Sequence, residues 1–177
     1  MIDTSREPEQ NDGLTLGAPP VRKSRTRKPA GRRGITVRRF FTEPDTHPYD
    51  ELEWETRSAA ITDETGKVIF EQNDVDMPVV WSQLATNVVV SKYFKGAIGT
   101  PEHEHSLKQL IDRVTTTITG WGTSQQYFAQ AEDAEAFEAE LTYLMVNQFA
   151  AFNSPVWFNV GVEAHPQCSA CFIQSVK

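Results

Sequence analysis

The stretch "FNSPVWFNVGVEAHPQCSACFIQSVK", Phe152–Lys177, holds the only two cysteines of the chain, Cys168 and Cys171, spaced C-x-x-C. Within it "SACFIQSV" alternates apolar and polar residues as a strand does, and side chains three apart on a strand point to opposite faces. Cys168 and Cys171 are therefore not expected to pair with each other. A zinc half-site lacks a second pair of ligands, and a thioredoxin-type pair belongs at a helix N-terminus. A catalytic thiol here needs a partner from elsewhere; the alternative is a buried cysteine acting as a small hydrophobe. Upstream, Ser154 precedes Pro155, which biases it to extended backbone and leaves its hydroxyl free. With Asn153 and Asn159 it can serve a phosphate or sugar oxygen, or simply a turn network.

Working outward, "DAEAFEAELTYLMVNQFAAF" is the clearest helix. Asp133 suits its cap, and Phe137, Leu141, Leu144, Met145 and Phe149 share one face. "TPEHEHSLKQLIDRVTTTITGWG" predicts a second helix, with Thr100 as cap and Pro101 in the first position. Its apolar stripe is Leu107, Leu110, Ile111, Val114 and Ile118, and Gly120 and Gly122 suit a stop. "MPVVWSQLATNVVVSKYFKG" predicts a third, starting near Pro78 with Val80, Leu84, Val88 and Phe94 at helical spacing and Gly96 ending it. Two apolar runs flank Asp63-Glu64-Thr65-Gly66. They predict a hairpin with strands near 57–62 and 67–72, because Gly66 supplies the positive φ of a short loop.

The formal charge of −7 is unevenly spread: residues 1–39 carry a net +6 and residues 40–177 a net −13. Residues 1–34 read as a disordered basic tail, too poor in large apolar side chains to offset ordering entropy. Such a tail can contact nucleic acid or only aid solubility. No apolar run reaches the roughly 18–20 residues of a membrane span, and the N-terminus has no apolar signal region. We expect a cytoplasmic protein with reduced or redox-active thiols. His103 and His105 flank Glu104, but residues two apart do not share a helix face, so metal binding is not expected. The four tryptophans, Trp54, Trp81, Trp121 and Trp157, suit core or interface anchors.

"ELTYLMVNQFAAFNSPVWFNVG", followed shortly by "PQCSACFI", resembles the N-terminal part of the adenosylcobalamin-dependent (class II) ribonucleotide reductases. "FTEPDTHPYDELEWETRSAAI", "VVWSQLATNVVVSKYF" and "GTPEHEHSLKQLIDRVTTTITGWG" fit the same family, so the resemblance covers residues 35–177. It implies an α+β fold: a mainly helical region with a β-hairpin over 35–150. Residues 151–177 then begin the first strand of a ten-stranded α/β barrel, incomplete in this chain. It implies thiyl-radical reduction of ribonucleotides to 2′-deoxyribonucleotides for DNA synthesis or repair, with adenosylcobalamin as cofactor. The partners it implies are a ribonucleotide, a thioredoxin-type reductant, a nucleotide effector and a homodimer. By resemblance, Cys171 is one thiol of the reducing pair, its partner lying outside this chain. Ala170 contacts substrate through its backbone, and Ser154 contacts the phosphate end. Cys168 has no role to carry over. The resemblance also implies that these 177 residues are inactive alone. The alternative from another class is a small module that binds nucleic acid through the basic tail.

Overall fold

The computed structural model describes residues 34–171. The basic stretch 1–33 and residues 172–177, which include most of the expected terminal strand, lie outside the described residues.

A single-turn 3-10 helix, Pro48–Glu51, leads into an antiparallel hairpin of β1 (Trp54–Thr62) and β2 (Val68–Pro78). The turn forms as the sequence predicts. Gly66 takes φ 84°, and the Asp63 carboxylate accepts from the Thr65 N–H, the Thr65 hydroxyl and the Lys67 N–H. Both strands are longer than expected. β2 carries the buried Val75 and Met77 and pairs Trp54 with Pro78 at its far end.

Four helices follow: α1 (Gln83–Tyr93), α2 (Leu107–Ser124), α3 (Ala131–Val146) and the short α4 (Ser154–Asn159). Leu107, Leu110 and Ile111 of α2 and Met145 and Val146 of α3 form the core, with Ala59, Val75 and Met77 of the hairpin and Val90 of α1. The stripe expected on α2 is thus the buried one. Each well-buried aliphatic side chain of this kind stabilises by about 1.5–3 kcal/mol.

The helix ends depart from expectation, each for a visible reason. Pro78 closes β2 rather than opening α1, because Arg57 of β1 uses the carbonyls of the connection: its guanidinium donates to Val79 O (3.0 Å) and Trp81 O (2.6 Å). Ser82 then caps α1 through the Ala85 N–H. The face that α1 turns to the core is not the expected one: Leu84 and Val88 are exposed while Thr86 and Val90 are buried. Thr100 does not cap α2. Ser106 does, in a capping box with Gln109, while residues 100–105 form turns. His103 is therefore not in a first helical turn; its Nδ1 donates to Gly96 O (2.9 Å). Nor do the glycines stop α2: it runs through Gly120 and Gly122 to Ser124, and the bare Cα of Gly122 makes room for the Phe128 ring. Gln130, not Asp133, caps α3; Asp133 is the third helical residue, accepting from the Gln130 N–H (3.1 Å). Gln148 at φ 59° lies just past the end of α3, leaving Phe149 outside the helix and exposed.

Three tryptophans act as anchors, each donating its indole N–H to a carbonyl: Trp54 to Tyr49, Trp81 to Val146 and Trp157 to Phe152. Trp121 is 39% exposed. Among the described residues no helix is long and apolar enough to cross a membrane.

Candidate functional site

The site is built around α4. Asn153 has extended backbone (φ −66°, ψ 158°), and its Oδ1 accepts from the Val156 N–H (3.3 Å), which starts the helix. Ser154 is consequently the first helical residue. That corrects the expectation of extended backbone before Pro155: the preference for extended conformations is outweighed by the cap and by the packing of Trp157. The Ser154 hydroxyl lies 3.0 Å from the Tyr93 hydroxyl at the end of α1.

The two asparagines do not join Ser154 in a donor cluster. Instead, Asn153 Nδ2 donates to the carbonyl of Cys168 (3.0 Å), and Asn159 Nδ2 to the carbonyl of Gln167 (2.7 Å). Together they fasten the thiol-bearing segment along α4. The Gln167 side chain accepts from the Ser169 N–H (2.7 Å) and shapes the next residue. Residues 166–171 are irregular and Cys171 and Ala170 are exposed, so the buried strand expected here is absent from 166–171. Cys168 is half-buried, its Sγ 3.7 Å from Pro166 O, and both thiols are free.

Reasoning from the sequence missed the residue that holds α4 in place. Arg113 of α2 donates to the carbonyls of Trp157 (3.0 Å) and Val160 (2.9 Å) at the C-terminal end of α4, and to Tyr93 O (3.3 Å) at the end of α1. Its charge is met by Glu104 (2.7 Å), which also accepts from the Lys95 N–H. Both side chains are about 90% buried. Gly161 at φ 74° packs so close that a Cβ there would meet the Arg113 side chain at 2.5 Å. No local pattern announces this clamp, since its partners lie up to 47 residues away.

Beside α4 lies an apolar cavity of about 300 Å³ whose wall includes Trp81, Tyr93, Leu107, Phe152 and Trp157. Other pockets among the described residues reach about 450 Å³. No cluster of three His, Cys, Asp or Glu side chains among the described residues is placed to hold a metal ion.

Residues 55–148 match the family model described as class II vitamin B12-dependent ribonucleotide reductase. A vitamin B12-dependent ribonucleotide reductase of Streptomyces coelicolor is 51% identical over 158 residues, covering 89% of this chain. One from Rhodopirellula baltica is 46% identical over 167 residues, covering 78% of the chain, and one from Agrobacterium fabrum 30% identical over 206 residues, covering 81%. The chain belongs to the class II vitamin B12-dependent ribonucleotide reductase family. It spans 16% of the length of each of these relatives.

Proposed function

We propose that this chain is the N-terminal part of an enzyme that reduces ribonucleoside di- or triphosphates to 2′-deoxyribonucleotides by thiyl-radical chemistry, and that it presents one wall of the substrate site. In this assignment residues 35–150 form the N-terminal region and residues 151–177 open the ten-stranded barrel. Ser154 donates to the phosphate end of the nucleotide, the Ala170 backbone contacts the substrate, and Cys171 is one of two reducing thiols. The carrying observation is the bond from Asn153 to the Cys168 carbonyl, which fastens the segment leading to Cys171 onto the helix that bears Ser154. A substrate gripped at one residue is thereby held in register with a thiol at the other.

The electron balance sets what Cys171 must do. Replacing the C2′ hydroxyl with hydrogen is a two-electron reduction. Two thiols become one disulfide, and the hydroxyl leaves as water. The partner thiol must come within disulfide reach, with Cα atoms roughly 4.4–6.8 Å apart. The exposure of Cys171 in these residues is what a thiol awaiting a partner from further along the chain requires. A thioredoxin-type reductant then returns the disulfide to thiols, and the enzyme acts as a homodimer under a nucleotide effector.

Adenosylcobalamin is the cofactor of the full-length enzyme in this proposal. The described residues do not fit it. Drug-sized ligands already occupy pockets of roughly 300–1,000 Å³, and a corrin with its nucleotide tail is larger than the pockets found here. None of the roles given to Ser154, Ala170 or Cys171 involves it.

Cys171→Ser in the full-length enzyme tests the assignment. Turnover is expected to fall by roughly 10⁴-fold or more, the scale at which removal of a reacting group is felt. Mass mapping after a single turnover is expected to find Cys171 bound to a cysteine beyond residue 177. A Cys168–Cys171 disulfide as the turnover product would refute the pairing. The 177-residue chain alone is expected to show no turnover with added adenosylcobalamin.

A further inference from the structure

We infer that Tyr93 is a positioning residue for the substrate: it fixes the Ser154 hydroxyl as a hydrogen-bond donor aimed at a phosphate oxygen of the nucleotide. The inference rests on the proposed contact between Ser154 and substrate and adds the group that sets its polarity.

Tyr93 is held at three points. Its carbonyl takes a hydrogen bond from Arg113 (3.3 Å). Its ring stacks on Phe158 of α4, with centroids 5.2 Å apart and planes inclined by 24°. Its hydroxyl sits 3.0 Å from Ser154 Oγ. Residues four apart share a helix face, so the ring lies along α4 from Phe158 to Ser154. The phenol has little freedom to point elsewhere, and it is the hydrogen-bond partner of Ser154 Oγ among the described residues.

Either oxygen of the pair can donate, so chemistry decides the direction. A phenol ionises near pH 10 and is a far stronger acid than an alkyl alcohol, hence the better donor. Tyr93 donates and the Ser154 oxygen accepts. The serine proton is then left over, and donation into its oxygen makes that proton a better donor in turn. A hydroxyl arranged this way suits an anionic oxygen acceptor and disfavours a ligand that must donate to it. Ribonucleotide phosphates are acceptors only, so the chain Tyr93–Ser154–phosphate runs in one direction throughout.

The test uses the full-length enzyme with Tyr93→Phe, which keeps the ring and its stacking on Phe158, Ser154→Ala, and the pair combined. Tyr93→Phe is expected to raise KM for the nucleotide by about three- to tenfold, the size of a weakened charge-assisted hydrogen bond, with kcat and the melting temperature little changed. In the Ser154→Ala background the same substitution is expected to have no further effect. The Tyr93→Phe penalty is also expected to vanish for a nucleoside lacking phosphate. If Ser154→Ala raises KM while Tyr93→Phe does not, or if the two effects simply add, Tyr93 does not act through Ser154. If Ser154→Ala leaves KM untouched, the substrate contact itself is wrong and this inference goes with it.

Discussion

Two glutamates fasten chain segments to the helical core, and they do it by opposite physics. Glu104 is buried and meets a buried cation, Arg113, whose remaining donors hold the ends of α1 and α4. Glu140 lies on the outer side of α3 and meets no cation among the described residues. Its carboxylate instead accepts the backbone N–H groups of Phe40, Phe41 and Thr42 and the Thr42 hydroxyl (2.8–3.1 Å). With Asp133, which accepts from the Val37 N–H (2.9 Å), it straps the N-terminal extended segment along α3. The buried device commits the molecule. A charge taken out of water must keep its partner, so loss of either half is costly. The outer device is adjustable, because water stands ready to replace each donor. The committed fastener is the one beside the candidate substrate site, and the adjustable one lies at the N-terminal edge.

The comparison breaks first at Arg113. Arg113→Met leaves Glu104 buried without its cation and frees the carbonyls of Trp157 and Val160. We expect a loss of about 3–5 kcal/mol, read by denaturant unfolding, with α4 amides losing protection in hydrogen exchange. Glu104→Gln combined with Arg113→Met should recover part of that loss. A single substitution as mild as any surface change would show that the pair is not a clamp.

A smaller effect comes from pressing on the same clamp from outside. Gly161→Ala places a methyl group against Arg113 at a backbone angle that L residues rarely adopt. About 1–3 kcal/mol of destabilisation is expected, seen as a lower melting temperature. An unchanged melting temperature would mean that α4 shifts freely and that Arg113 does not fix it.

The smallest effect sharpens the other side. Burial pushes the Glu140 carboxyl up, but donation from Phe40, the Thr42 hydroxyl, Phe41 and the Thr42 N–H outweighs it and holds the group below the usual carboxylate value. A folded value below the unfolded one stabilises above the unfolded pKa of about 4.3, and that contribution is lost as pH falls through the folded value. Glu140→Gln should cost about 1 kcal/mol at neutral pH, discounted for solvent exposure. The difference from the unsubstituted chain should shrink as pH drops below about 4. Limited proteolysis within residues 35–42 across pH is the measurement, and a pH-independent difference would remove the charge from the account.

What the sequence reveals and hides follows the range of the interactions. The hairpin is legible because Asp63 and Gly66 settle it within five residues. The buried face of α2 is legible because period and burial coincide at Leu107, Leu110, Ile111 and Val114. Two helix starts are hidden by competing local signals. Thr100-Pro101 and Pro78 both look like beginnings, yet the capping box of Ser106 and Gln109 and the claim of Arg57 on Val79 and Trp81 win. The Ser106/Gln109 spacing was available as a signal; the Arg57 contacts were not. At the site, Ser154 and the two cysteines stand out by residue type and spacing, while Ala170 and the specific role of each residue come through family resemblance. Tyr93, Glu104 and Arg113 came from the fold alone, since their partners lie 9 to 61 residues away.

The bonds from Asn153 and Asn159 to the thiol segment end on backbone carbonyls. Every amino acid carries such an oxygen, so the bond from Asn153 does not depend on which side chain stands at 168, whereas at 167 the Gln side chain also holds the Ser169 N–H. Cys168 can therefore be exchanged for alanine without moving its neighbour, leaving one sulfhydryl in the sequence. A maleimide-linked fluorophore or nitroxide would then mark Cys171 alone within these 177 residues and report on the surroundings of the segment that Asn153 and Asn159 fasten.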